Sequence, residues 1–400
     1  MPGSPAFRLP PVAAWTSALI ATLVGFGGTV PLVVQAMGAL GASPEQVSSA
    51  VTALCLGMAI PGAILSIWLR VPVVLAWSTP GAALLATAVG VSWPVAIGAF
   101  VVAAVLTILL GLVPLLGRWA ERIPPTIASA MLAGVLLPFC LGLFRLGGID
   151  PLLVGLLLAV YIVARRTVPL YALLLVLAAG MGFSVLRGDL GELQAGPAFG
   201  VLLPTMPQFD LATMISLGVP LFLVTLVSQN LPGLVVLRNA GYTPKPAPLL
   251  MGVGIASLMA APFGAHALNL AAITAALCMG PEAHPDASKR WTVAVIYAGF
   301  YLILALFAPV VVQLFLALPS QVIASLAGVA LIPALTGAMT TMLSGREKGD
   351  PVILTFLGAA SGLTLFGLGS AFWGLVAGFA ALGVARLLRR EAAANRAPVP

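Results

Sequence analysis

The stretch FGAHALNLAA (residues 263–272) places His266 and Asn269 three residues apart in an otherwise apolar run, and His266 is one of only two histidines in the chain. An imidazole titrates near neutrality and can accept a proton. An amide both donates and accepts hydrogen bonds. Two further polar groups, Trp77-Ser78-Thr79-Pro80-Gly81 and Ser228-Gln229-Asn230, stand in equally apolar surroundings. Hydroxyls, amides and a Ser/Thr-type helix cap suit a small anion held by hydrogen bonds. They do not supply an acid-lined metal cage or a nucleophile–base pair. All eleven acidic residues fall in polar breaks or at the ends of apolar runs. His266 is then the one strongly titratable side chain deep inside such a run.

Each of these residues also has a plainer reading. A buried imidazole can simply bond a free carbonyl, and amides commonly join membrane helices at about 1 kcal/mol. Aromatic residues such as Phe26, Trp77 and Phe263 ordinarily pack. Intramembrane ionisable groups are functional by default, which favours proton coupling through His266. The Gly-rich VGFGGTV (24–30) lacks the spacing of a dinucleotide fingerprint and suits close helix approach instead. His284, between Glu282 and Asp286, reads as a solvated loop residue. Cys55, Cys140 and Cys278 are far apart in apolar runs, so they read as small packing residues.

The elements that must position these groups are membrane spans. The 400 residues are 61% hydrophobic and 7% charged, against about 25% charged in a water-soluble domain. At about 20 residues per span there is room for roughly 12 to 14 crossings. Apolar runs fall at 12–38, 46–69, 72–90, 93–117, 124–144, 149–165 and 168–186, then at 211–237, 246–261, 263–281, 290–317, 319–343, 351–366 and 369–388. This gives an all-α polytopic membrane protein of fourteen segments, seven on each side of a polar stretch at 187–210. The N-terminus lacks a signal peptide's cleavage site, so the first run reads as a retained helix.

The basic residues test that count. With both termini cytoplasmic, only Arg145 and Arg187 of the eighteen basic residues fall outside, as the positive-inside rule requires. The net charge of +7 is therefore topological, and no nucleic-acid partner is expected. Seven segments per half give the halves opposite orientation. TVPLVVQAMGALGASP (29–44) echoes NLPGLVVLRNAGYTP (230–244), and VPVVLAWSTPGAALLATA (71–88) echoes APFGAHALNLAAITAALC (261–278), with Thr79 opposite Asn269. Inverted repeats are common in secondary transporters.

Segments three and ten each read as a short extended stretch followed by a half-helix. Ser78 or Thr79 caps the first half-helix and Asn269 is the cap candidate of the second. Broken helices at membrane depth occur only where they line a cavity or are buried in protein, and matched broken segments point to a transport site. Facing half-helix N-termini would offer N–H groups to an anion. The candidate substrate site is Phe26, Thr29, Trp77, Ser78, Thr79, Pro80, Gly81, Gln229, Asn230, His266 and Asn269. His266 is the proton-coupling candidate, and no metal or cofactor is expected.

SQNLPGLVVLRNAGY (228–242) and FGAHALNLAAITAALC (263–278), supported by AWSTPGAALL (76–85), resemble the BenE family of benzoate transporters over nearly the whole chain. That resemblance implies proton-coupled uptake of benzoate across a bacterial inner membrane. More distantly, the arrangement is similar to the uracil-transporter fold shared with anion exchangers. It implies a core domain of spans 1–4 and 8–11 (12–117 and 208–317) and a gate domain of spans 5–7 and 12–14 (118–186 and 318–390). It also implies elevator-like movement of core against gate, often in a homodimer. One departure stands out: uracil-type transporters carry carboxylates in spans eight and ten, where this chain reads SQN and AHALN. An uncoupled anion exchanger or channel on the same scaffold is the competing expectation. A membrane enzyme or receptor finds no supporting residues.

Overall fold

The computed structural model describes residues 10–113, 124–191, 197–344, 349–366 and 368–394. Its first part holds α1 (Val12–Gly27), α2 (Val30–Ala39), α3 (Pro44–Leu69), β1 (Leu75–Trp77), α4 (Thr79–Ala86), α5 (Trp93–Leu112), α6 (Pro125–Leu146), α7 (Pro151–Thr167) and α8 (Ala172–Arg187). Its second part holds α9 (Leu211–Asn239), α10 (Pro246–Ala260), β2 (Leu268–Leu270) and α11 (Ile273–Met279). There follow α12 (Trp291–Leu306), α13 (Ala308–Leu316), α14 (Ser320–Ser344), α15 (Asp350–Ala360) and α16 (Ser370–Ala394). Among the described residues nine helical stretches are long and apolar enough to cross a bilayer. The protein is a mostly helical, polytopic membrane protein. Of the residues used in the charge and acid counts, Arg8, Arg118, Glu121, Arg122, Glu192, Arg346, Glu347, Lys348 and Arg396 lie outside the described residues, as does the expected 117/118 domain boundary.

Helix starts follow from local chemistry. Ser43 and Gln46 form a reciprocal capping box at α3, satisfying two otherwise unpaired N–H groups. Asp150 accepts from the Leu153 N–H at the start of α7. Asp210 accepts from the Thr213 N–H at the start of α9. The Thr213 hydroxyl and amide hold the Asp210 carboxyl below its ordinary range.

Two of the expected continuous runs are interrupted. The run at 12–38 breaks at Gly28–Thr29 between α1 and α2, and the run at 290–317 breaks at Phe307 between α12 and α13. Helix α9 contains two π turns, Met214–Gly218 and Leu226–Asn230. A π turn inserts one residue and re-aims the side chains around it. Here it lies on Ser228-Gln229-Asn230.

In the interior, α6 packs against α14 and α15, α3 against α12, and α5 against α10. All three cysteines are free and buried. The extended chain before α9 crosses one end of this assembly as a strap. Gly200 N–H donates to the Leu306 carbonyl, Leu203 N–H to Ser49 Oγ, Thr205 N–H to the Pro262 carbonyl and Gln208 N–H to the Pro94 carbonyl. It thereby ties α3, α5, the end of α10 and α12 into one unit.

The two strands pair antiparallel, with Leu75 opposite Leu270, Ala76 opposite Asn269 and Trp77 opposite Leu268. A lone two-stranded pair is marginal in water, and buried backbone groups must find partners. Side chains of the surrounding helices supply them. Ser66 Oγ accepts from Val73 N–H, Ser257 Oγ from Leu268 N–H and Asn230 Oδ1 from Leu270 N–H. Tyr297 Oη donates to the Leu75 carbonyl at 3.1 Å, and Ala271 N–H donates to the Val74 carbonyl.

Candidate functional site

The first half-helix is capped as its sequence dictates. Ser78 Oγ accepts from Gly81 N–H at 2.9 Å, and Thr79 and Pro80 are the first helical residues. Proline has no N–H, Gly81 gives its own to Ser78, and Ala82 N–H bonds the Ser78 carbonyl. The first turn of α4 is largely satisfied from within.

The second half-helix differs from expectation. Asn269 does not cap it. The N-cap is Ala272, and no side chain bonds the first-turn amides. Asn269 sits instead in the middle of β2, where its Oδ1 accepts from Asn230 Nδ2 at 3.1 Å. Matched on strands and helices, Leu75 corresponds to Leu268 and Thr79 to Ile273. The sequence match of Thr79 with Asn269 is therefore displaced by three to four residues. Proline and small residues align cheaply, and strand register does not show in composition.

Beside the half-helices lies a cavity of about 490 Å³, within the ~300–1,000 Å³ common for small-molecule sites. Of the expected site residues, Thr29, Trp77, Thr79, Pro80 and Gln229 line it. The side chains of Thr79 and Gln229 make no hydrogen bond among the described residues, and they come from opposite halves of the chain. Thr29 Oγ1 is occupied, accepting from Trp77 Nε1 at 2.8 Å and donating to the Gly25 carbonyl. That bond fixes the indole against the cavity. Trp77 meets Tyr301 edge-to-face at 6.4 Å and 86°, and Phe26 backs Trp77 at 5.5 Å.

Phe26, Ser78, Gly81, Asn230, His266 and Asn269 do not line the cavity. Asn230 and Asn269 bond each other and the β2 backbone, so these amides hold the strand pair together. His266 is 1% exposed, and its Nε2 lies 3.0 Å from the Ser78 carbonyl. A carbonyl only accepts, so Nε2 carries the proton. Nδ1 has no partner among the described residues, and Phe100 closes on the ring edge-to-face. The turn before it needs glycine: Gly264 has φ +98°, and a Cβ there would fall 2.7 Å from Ala50 and 2.8 Å from Trp93.

Several lining residues escape sequence reasoning. Thr274 and Tyr301 close the cavity near Gly25, where a Cβ would stand 2.9 Å from the Tyr301 hydroxyl. The spacing of Tyr297 and Tyr301, one helical turn apart in an apolar run, is the sequence signal that points to them. Ser129, Tyr161, Arg165 and Thr341 complete a polar side on α6, α7 and α14. Their positions follow only from the packing of distant helices.

A membrane-embedded helical bundle with a largely apolar cavity and a few convergent polar groups at paired broken helices has the form of a membrane transporter. The sequence profile described as "Benzoate membrane transport protein", BenE, matches residues 9–384. The chain belongs to that family, one of transporters and not of enzymes. It is 40% identical over 375 residues to inner membrane protein YdcO of Escherichia coli (strain K12), covering 93% of this chain and 95% of that one. It is 35% identical over 373 residues to the benzoate membrane transport protein of Acinetobacter baylyi (strain ATCC 33305 / BD413 / ADP1), covering 92% and 94%. In fold it is similar to the transmembrane domain of the cyanobacterial bicarbonate transporter BicA. That match has a TM-score of 0.59 at 16% identity, over 92% of this chain and 97% of that one.

Proposed function

We propose that this protein imports benzoate or a similar aromatic carboxylate together with protons across the bacterial inner membrane. The observation that carries the reading is the pairing, on one cavity, of unpartnered polar side chains (Thr79, Gln229) with a rigid aromatic wall (Trp77, Tyr301). A flat ring packs on the wall, and the carboxylate takes hydrogen bonds from Thr79, Gln229 and Thr274. Both half-helices are short, eight and seven residues, so side-chain donors outweigh helix dipoles here.

In this reading both termini are cytoplasmic and fourteen segments form two inverted halves. The core (12–117 and 208–317) moves as an elevator against the gate (118–186 and 318–390). The cavity lies between residues of these two sets, as such a movement needs. The strap at 197–210 and the β1–β2 pair bond core residues to one another, which suits a rigid moving body. The proton travels on Nδ1 of His266 or on the carboxylic acid itself, and only the first route is sensitive to substitution of His266.

The test is uptake of labelled benzoate by purified protein in liposomes, with and without an inward proton gradient. Gradient-driven accumulation is expected. Uptake that ignores the gradient favours the uncoupled exchanger or channel, and the absence of benzoate uptake removes the substrate assignment.

A further inference from the structure

One charged side chain lines the cavity among the described residues, and it is Arg165. Arg165 and Arg166 are neighbours in the last turn of α7. Both suit the negative end of a helix, and both count equally toward the positive-inside pattern. Those general roles explain the pair but not the difference between them: Arg165 borders the cavity and Arg166 does not. The described lining also includes the hydroxyl residues Ser129, Tyr161 and Thr341 and no carboxylate, and Arg165 makes no ion pair among the described residues.

We propose that Arg165 is a specificity-determining residue that draws the substrate carboxylate toward the cytoplasmic mouth of the cavity. This rests on the aromatic-carboxylate reading above. The hydrogen-bonding donors Thr79 and Gln229 lie on the broken segment three and on α9, whereas Arg165 lies on α7. Under the elevator reading those first two groups travel with the substrate and Arg165 stays in place. A fixed cation of this kind favours the bound anion in one conformation only, which is what biases a two-state equilibrium. An open, low-dielectric cleft with a single sign of charge also raises the local anion concentration. Neutral aromatic solutes gain nothing from it.

The experiment compares wild type, R165Q, R165K and R166Q in right-side-out and inside-out membrane vesicles. It measures the benzoate concentration giving half-maximal transport from each face, at low and high salt. R165Q should raise the cytoplasmic-face value about 3- to 5-fold, the upper part of the range for an exposed charge contact, and leave the outer-face value unchanged. R165K should retain most of the wild-type value, because a point charge suffices. R166Q should behave as wild type. In wild type, added salt should weaken the cytoplasmic face more than the outer face, a readout that needs no variant to fold. Equal shifts at both faces, an R166Q effect equal to that of R165Q, or salt acting alike on both faces would overturn the inference. Wild type that moves no benzoate overturns the substrate reading and this inference with it. Wild type that transports while R165Q matches it overturns this inference alone.

Discussion

The two broken segments are built from the same parts and used differently. In the first, Ser78 caps the half-helix, Pro80 removes an N–H, and Trp77, Thr79 and Pro80 face the cavity. In the second, the polar residues His266 and Asn269 turn away from the cavity, into contacts with the Ser78 carbonyl and Asn230. Among its described residues only Ala271 to Thr274, the exit of β2 and the uncapped start of its half-helix, reaches the cavity wall. The first segment turns polar and aromatic side chains to the cavity, whereas His266 and Asn269 of the second hold the frame. Similar strand-then-helix backbone thus does not give matched side chains the same surroundings.

The largest effect that would break this contrast is expected at Asn230. Asn230→Leu leaves the Leu270 N–H and Asn269 without partners at the centre of the strand pair. An orphaned buried donor costs roughly 1–3 kcal/mol. The detergent-solubilised variant should melt several degrees lower and transport little. An unchanged melting temperature would show that the second segment does not need this frame.

Next in size come the proposed recognition residues. Thr79→Val and Gln229→Leu should each raise the half-saturating benzoate concentration about 10-fold, equivalent to ~1.4 kcal/mol, with melting within a degree or two of wild type. If either variant instead unfolds the protein, the cavity-facing groups are part of the frame as well.

Ser78→Ala removes a cap worth about 1 kcal/mol. It should lower the melting temperature modestly while leaving the affinity nearly intact, since Ser78 does not line the cavity.

The smallest and most discriminating change is at His266. His266→Ala should reduce uptake and alter its pH dependence. His266→Gln can still donate to the Ser78 carbonyl from an amide but cannot take up a proton near neutral pH. Restored uptake with an unaltered pH profile from 5 to 8 would make His266 a latch. Uptake that stays low, or a flattened profile, would make it the proton carrier.

Much of this architecture is legible in the order of residues alone. The fraction of charged residues requires a membrane, the family resemblance follows from long specific stretches, and the extended-then-helical form of both broken segments shows in VPVVLAWSTP and PFGAHALNL. Ser78 as cap and Thr79-Pro80 as the helix start follow from local stereochemistry. The cap at Asn269 fails because the rest of β2 and its exit precede the helix. Strand length here is set by pairing with Leu75–Trp77, not by any local signal.

By itself, then, the sequence determined membrane residence, the location of the broken helices and the short inventory of polar groups that function could draw on. These are questions of composition and local backbone chemistry, and each is answered within a window of about twenty residues, the length of one span. Only the tertiary structure decided which polar groups face the cavity and which hold the frame. In a membrane, lipid and protein interior are both apolar, so hydropathy cannot tell a cavity-facing side from a packed one. The packing also brought Tyr161, Arg165, Thr274 and Tyr301 to one cavity from α7, α11 and α12, an encounter that depends on helices far apart in the chain.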